Sequence, residues 1–185
     1  WACASRCPCC SSYVRDKLFM IDCGEGAQLQ FRKSHLKFSR LNHIFISHLH
    51  GDHCFGLLGL ISTLNLLGRT AELHIHSPKG LETLLTPMLD FFNRQMTYKV
   101  LFHEFDTKEP MLIYEDRSLT VTTIPLRHRM PCCGFLFAEK RCPNHIIREM
   151  VDFYQVPVYE LNRIKNGADY VTSPAQRTTR SEFAG

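Results

Sequence analysis

A layered α/β fold is what the sequence predicts, and three observations lead to it. Between Lys17 and Phe105, short β-branched and aromatic runs alternate with helical stretches. From Met111 to Ala138, strand follows strand with no helix between them. The composition, 44% hydrophobic and 22% charged over 185 residues, is that of a folded domain with a sizeable core. The net charge of +4 tolerates a polyanionic partner without by itself arguing for one.

The elements follow in order. Residues 17–22 read as a short buried strand, ended by Gly24-Glu25-Gly26, where glycine permits unusual backbone angles. A helix starts at about Ala27. In its continuation Arg32, Lys33, Lys37 and Arg40 stand with no acid among them, which suits either a solvated face or phosphate contact. The next strand, Ile44-Phe45-Ile46, runs into Ser47-His48-Leu49-His50-Gly51-Asp52-His53, and an apolar helix extends from there to about Leu67. Its core stripe is Leu57, Leu60 or Ile61, Leu64 and Leu67, while Gly56 and Gly59 let its backbone approach a sheet. A strand over 72–76, a Pro78-Lys79-Gly80 turn, a helix to about Phe92 and a strand over 98–105 complete the alternation.

Strands over 111–114, 118–124 and 134–138 come next and are expected to be antiparallel. In the middle one Leu119, Val121 and Thr123 share a face, and Pro125 is expected to end it. Two helical pieces, 144–154 and 159–166, form an appendage around Val156-Pro157-Val158, and the polar stretch 173–185 is expected to be disordered.

Of the nine cysteines, Cys3, Cys7, Cys9 and Cys10 crowd the start, in a spacing that matches no zinc knuckle. Cys23, Cys54, Cys132, Cys133 and Cys142 lie in or beside apolar segments without regular spacing, which suits a reducing compartment. No apolar run approaches the roughly 20 residues that span a bilayer, and no secretory leader pattern opens the chain. A cytoplasmic protein without a membrane segment is expected.

The chemistry is carried by His-x-His-x-Asp-His at the junction of a buried strand and an apolar helix. A turn leaving the strand aims His48 and His50 at one point, while Asp52 and His53 face a second point nearby. Two adjacent divalent ions are the natural occupants. Water bridging them becomes hydroxide near neutral pH and attacks phosphorus, with Asp52 orienting the nucleophile or taking its proton. Cys54, one helical position beyond His53, is expected to be buried rather than a ligand.

Together with Gly56-Leu57, Gly59-Leu60 and the stretch Asp22-Cys23-Gly24-Glu25-Gly26-Ala27-Gln28, this motif resembles that of ribonuclease Z, the tRNA 3′-processing endoribonucleases of the metallo-β-lactamase fold. The resemblance runs from about Arg15 to Val171. It implies a four-layer αββα fold, of which the chain holds the N-terminal half plus a helical arm. The segments are then a Cys-rich head (1–14), the metallo-β-lactamase-like domain (15–140), a candidate tRNA-binding arm (141–171) and a tail (172–185).

The resemblance also implies Zn²⁺ as cofactor, two ions in the complete site, a homodimer, and a tRNA precursor as the partner whose 3′ trailer is cut. It carries onto Asp22 a role in supporting the metal-binding histidines, and it promotes His128, ahead of Gly134-Phe135, to a zinc ligand. Asp52 is the catalytic candidate, His48, His50, Asp52, His53 and His128 are the metal candidates, and no substrate-binding residue is assigned. The 141–171 segment departs from the family arm: its Gly-Pro signal is reduced to Val156-Pro157-Val158-Tyr159, and its basic and acidic residues balance, so a helical hairpin packed on the body stays open.

Beyond His128 only His145 remains, and no Gly-Asp-Thr turn supplies the family's bridging aspartate; Asp169 stands in a different context. With an opening Trp1 in place of Met, the chain is expected to be incomplete at both ends, to hold at most one zinc tightly, and to have little activity alone. Two other readings remain: another hydrolase of this fold acting on an ester, thioester or phosphodiester, and a non-catalytic metal-binding fragment.

Overall fold

The computed structural model describes residues 10–14, 17–93, 95–140, 146–173 and 176–178. The chain divides into two compact units, Trp1–Glu139 and Lys140–Gly185. In the first, a five-stranded sheet runs in the order β1 (Cys10–Val14), β2 (Lys17–Ile21), β3 (Leu41–Phe45), β4 (Leu73–Pro78) and β5 (Val100–Phe105). From β2 to β5 the strands are parallel, so each connection must cross over the sheet. Helices α1 (Ala27–Lys33), α2 (Gly51–Cys54) with α3 (Gly56–Leu66), and α4 (Leu81–Phe92) are those crossovers.

Period-two alternation then sorts the side chains. Leu18, Met20, Ile44 and Ile75 bury against Phe31, Leu57, Leu60, Ile61 and Leu85 in one core. Phe19 and Phe45 face the other way and meet Leu119 and Val121 of a second sheet. That sheet is the antiparallel set β6 (Leu112–Glu115), β7 (Leu119–Leu126) and β8 (Cys132–Glu139). Helices, sheet and sheet make three layers of a mixed α/β fold. Each fully buried Leu, Ile or Phe contributes about 1.5–3 kcal/mol to holding them together.

Several expectations need correction. Cys10–Val14, within the segment read as the head, pairs antiparallel with β2 at the edge of the sheet, where backbone pairing needs no family motif. Pro125 does not end its strand: β7 runs on to Leu126, paired there with β8 alone, and a strand with one neighbour tolerates a residue without an N–H. Leu67 is 63% exposed, because α3 stops at Leu66 and Gly68 (φ 73°) turns the chain away.

Gly56 approaches a loop rather than a strand, and Gly59 makes only ordinary contacts. The helix following the metal motif is interrupted at Phe55 into α2 and α3. Cys23, Cys54, Cys132 and Cys133 are all buried. Cys3, Cys7, Cys9, Cys142 and His145 lie outside the described residues.

A feature absent from the sequence reading sits on the sheet face that carries Phe19. His43 of β3 pairs in register with His74 of β4, and His76 of β4 with His103 of β5. The four imidazoles stack with centroids 4.8–5.6 Å apart, and hydrogen bonds cross the array between His43 Nδ1 and His76 Nε2 (3.3 Å) and between His74 Nδ1 and His103 Nε2 (2.9 Å).

The second unit holds α5 (Arg148–Phe153) and α6 (Val158–Lys165) around buried Val156 and Ile164. An antiparallel ribbon of β9 (Tyr170–Ser173) and β10 (Gln176–Thr178) corrects the expectation that the chain is disordered from residue 173, since backbone pairing there needs no apolar side chains. No helix among the described residues is long and apolar enough to cross a membrane.

Candidate metal centre

The motif emerges where β3 leaves the sheet. Ile46 continues the ladder by donating from its N–H to the His76 carbonyl (2.8 Å), which fixes where Ser47 and the residues after it begin. The chain then enters α2 at Gly51. Two backbone bonds clamp this helix to the loop after β2: Cys23 N–H donates to His53 O (2.7 Å) and Gly56 N–H to Cys23 O (2.9 Å). The approach is so close that a β-carbon on Gly56 would lie 2.0 Å from Gly24 O, so glycine is required there. His128 arrives from the loop between β7 and β8, and Cys133 N–H donates to Ser47 O (3.1 Å), tying the second sheet to the motif.

These supports gather His48, His50 and His128. One nitrogen from each lies within 4.8 Å of the others, and the ring centroids are 4.8–5.2 Å apart. His48 is 6% exposed; burial first, and then the neighbouring imidazoles, hold its pKa below the usual value and keep it neutral, the form that binds a metal. Three neutral imidazoles are a donor set that fits a divalent ion.

His53 stands beside this trio, its ring 4.0 Å from that of His48. Asp52 does not join the trio: its side chain is 80% exposed, with Oδ2 3.5 Å from His53 Nε2. The two residues form a separate pair of donors next to the three.

Asp22 organises both groups. Its backbone is in the left-handed region (φ 58°), which aspartate tolerates better than most residues. Oδ2 accepts from His53 Nδ1 at 2.8 Å, and Oδ1 accepts from Ser47 N–H at 2.8 Å. The Ser47 hydroxyl lies 2.9 Å from Asp22 Oδ1 and 2.9 Å from His48 Nδ1, so it donates to the carboxylate while accepting from the ring. With Nδ1 of both rings engaged, Nε2 of His48 and His53 is left for a ligand. Cys54 is buried and donates from Sγ to His50 O (3.3 Å), which excludes it from the donor set.

Comparison with known proteins fits this geometry. Residues 12–143 match the family model described as Anti-Pycsar protein Apyc1. Ribonuclease Z of Bacteroides fragilis is 82% identical to the chain over 159 residues, which is 86% of this chain and 52% of that protein. The chain belongs to the matched family, and it is similar in sequence to ribonuclease Z.

The chain spans about half the length of the curated relatives it matches. Among solved structures, human tRNase Z, short form, superposes with a TM-score of 0.65 at 30% identity, covering 71% of this chain and 57% of that one. The metallo-β-lactamase fold protein YhfI from Bacillus subtilis, at 16% identity and a TM-score of 0.51 over 77% of this chain and 58% of its own, shares the fold. In the candidate metal centre, Ser47 is the participant that sequence reasoning missed. Its only signal was its place directly before the first histidine, where a hydroxyl can reach an adjacent ring.

Proposed function

We propose that this chain serves a zinc-dependent endoribonuclease that removes the 3′ trailer of tRNA precursors by hydrolysing a phosphodiester. The observation that carries the reading is the trio His48, His50 and His128, with His48 held by Asp22 through Ser47, in a chain so similar to ribonuclease Z. His48, His50 and His128 would hold the first ion, and Asp52 and His53 would offer two donors toward a second. Bound there, a divalent ion supplies Lewis acidity toward the phosphodiester and the attacking water. Asp22 keeps the His53 ring, and through Ser47 the His48 ring, in one tautomer, and the exposed Asp52 carboxylate is placed to accept a proton from the attacking water.

The wider reading follows from the same likeness: a cytoplasmic enzyme, a tRNA precursor as substrate, and a homodimer. Exposed Leu84, Met88, Phe91 and Phe92 of α4 offer an apolar face for the second copy. In the second unit, exposed Phe153 and Tyr159 support its assignment as the arm that contacts tRNA.

Zinc analysis and cleavage of a 3′-extended tRNA precursor test the proposal. One tightly held zinc per chain is expected, with slow trailer removal that disappears in His48→Ala and on chelation. Zinc-loaded protein that spares the precursor but hydrolyses a thioester or a simple phosphodiester would move the chain to another hydrolase class.

A further inference from the structure

We infer that Phe55 is a stacking platform for an unpaired nucleobase beside the metal centre, an assignment that rests on the ribonuclease reading above. A large apolar ring normally finds a place in the core, yet Phe55 is 75% exposed although the apolar stripe of α3 begins only two residues later. It sits at the break between α2 and α3, its N–H donating to Gly51 O (2.9 Å). The backbone on either side is clamped by His53 O and Gly56 N–H to Cys23. Its position is therefore fixed relative to the metal motif.

The ring is seated as well as placed. A β-carbon on Gly51 would lie 2.4 Å from Phe55 Cε2 and 2.6 Å from Cζ, so the ring occupies the space a side chain there would need. Gly51 stands between His50 and Asp52, which puts the aromatic surface next to the candidate ligands. Beside the ring opens a recess of about 180 Å³, walled by Glu25, Gly26, Ala27, Gln28, Gly56 and Gly59. Its glycines leave room for a flat group. Gln28 Oε1 accepts from Thr63 Oγ1 (2.8 Å), which orients the amide, and Glu25 adds an exposed acceptor.

A planar apolar surface with polar groups at its edge, next to a centre that draws phosphate, is what an unstacked base recognises; stacking tolerates any base because each has a π face. A base held on Phe55 positions the adjoining phosphate toward His48, His50 and His128. Phe55 acts here by positioning substrate and takes no part in proton transfer.

The test uses the zinc-loaded chain and short single-stranded RNAs carrying 2-aminopurine at successive positions. Quenching confined to one or two positions is expected with the wild type. Phe55→Leu keeps an apolar side chain but loses the flat face, and RNA affinity should fall roughly 5- to 100-fold, the range of one base–aromatic stack. Phe55→Trp should retain affinity, with indole emission above that of Trp1 quenched by RNA. Zinc content is measured for all three proteins. Equal RNA binding by wild type and Phe55→Leu overturns the inference and leaves the ribonuclease reading standing; zinc-loaded wild type that binds no RNA removes both. Should Phe55→Leu lose zinc, the tryptophan variant decides, and an indole indifferent to RNA overturns the assignment.

Discussion

The Asp22 carboxylate accepts a hydrogen bond from His53 Nδ1 at 2.8 Å, and through the Ser47 hydroxyl it governs His48 as well. One side chain at the end of β2 thereby sets the tautomer of two rings that arrive from β3 and α2. An amide in its place would present an N–H₂ to one of its present donors. Asp22→Asn should weaken zinc affinity roughly 10- to 100-fold, the usual cost of losing a partner behind a metal ligand. Competition with a chromophoric chelator measures this, and unchanged affinity would remove Asp22 from the site.

His48 and Asp52 should separate binding from chemistry. His48 lies within the trio, so His48→Ala should abolish tight zinc binding. Asp52 stands outside it with an exposed side chain, so Asp52→Asn should retain the first zinc while turnover falls about 10²- to 10⁴-fold, as for loss of a proton acceptor. Elemental analysis beside single-turnover kinetics gives both readouts. Loss of the first zinc in Asp52→Asn would place that carboxylate among its ligands.

The stacked histidines make the fold acid-sensitive. Burial first, and then the neighbouring imidazoles, bring His43 down to about 4 and His76 to about 3; Asp116 pulls His43 the other way and Lys17 adds to the lowering. Both rings are neutral in the folded chain, whereas the unfolded chain protonates them below about 6.5. The unfolded state then binds more protons, so stability is full above pH 6.5 and falls as pH drops toward 4 and then 3. Each group contributes up to about 1.4 kcal/mol per pH unit in its window. Urea midpoints at pH 7, 6 and 5 check this. His76→Phe, which keeps a ring against Phe45 (centroids 4.6 Å apart in the native stack), should flatten the dependence.

Gly56→Ala tests the clamp beneath the metal motif. Its β-carbon would meet backbone at Gly24, which cannot rotate away as a side chain can. Destabilisation of about 1–3 kcal/mol is expected from overpacking, together with lower zinc occupancy as α2 shifts. Denaturant unfolding gives the first quantity and zinc titration the second.

Much of this was legible because it is local. The spacing of His48, His50, Asp52 and His53 is a property of one turn and one short helix, so neighbouring residues alone mark a candidate metal site. The parallel alternation was legible too, since buried strands and amphipathic helices have different periods. Pro125 and Leu67 were misread because a proline's fate depends on whether its strand has one neighbour or two, and a leucine's on where its helix stops.

What the sequence by itself determined is the class of fold and the candidate donors: imidazoles and a carboxylate at a strand-to-helix junction, with Asp22 in a glycine-rich loop nearby. Only the tertiary structure decided which of them meet. His128 reaches His48 and His50 because β8 is tied to Ser47, Asp52 is left outside the trio, and His43, His74, His76 and His103 stack because three strands align in one register. The physical reason is that spacing along a chain fixes directions within one element, whereas distances between elements are set by sheet register and packing, which no single segment encodes.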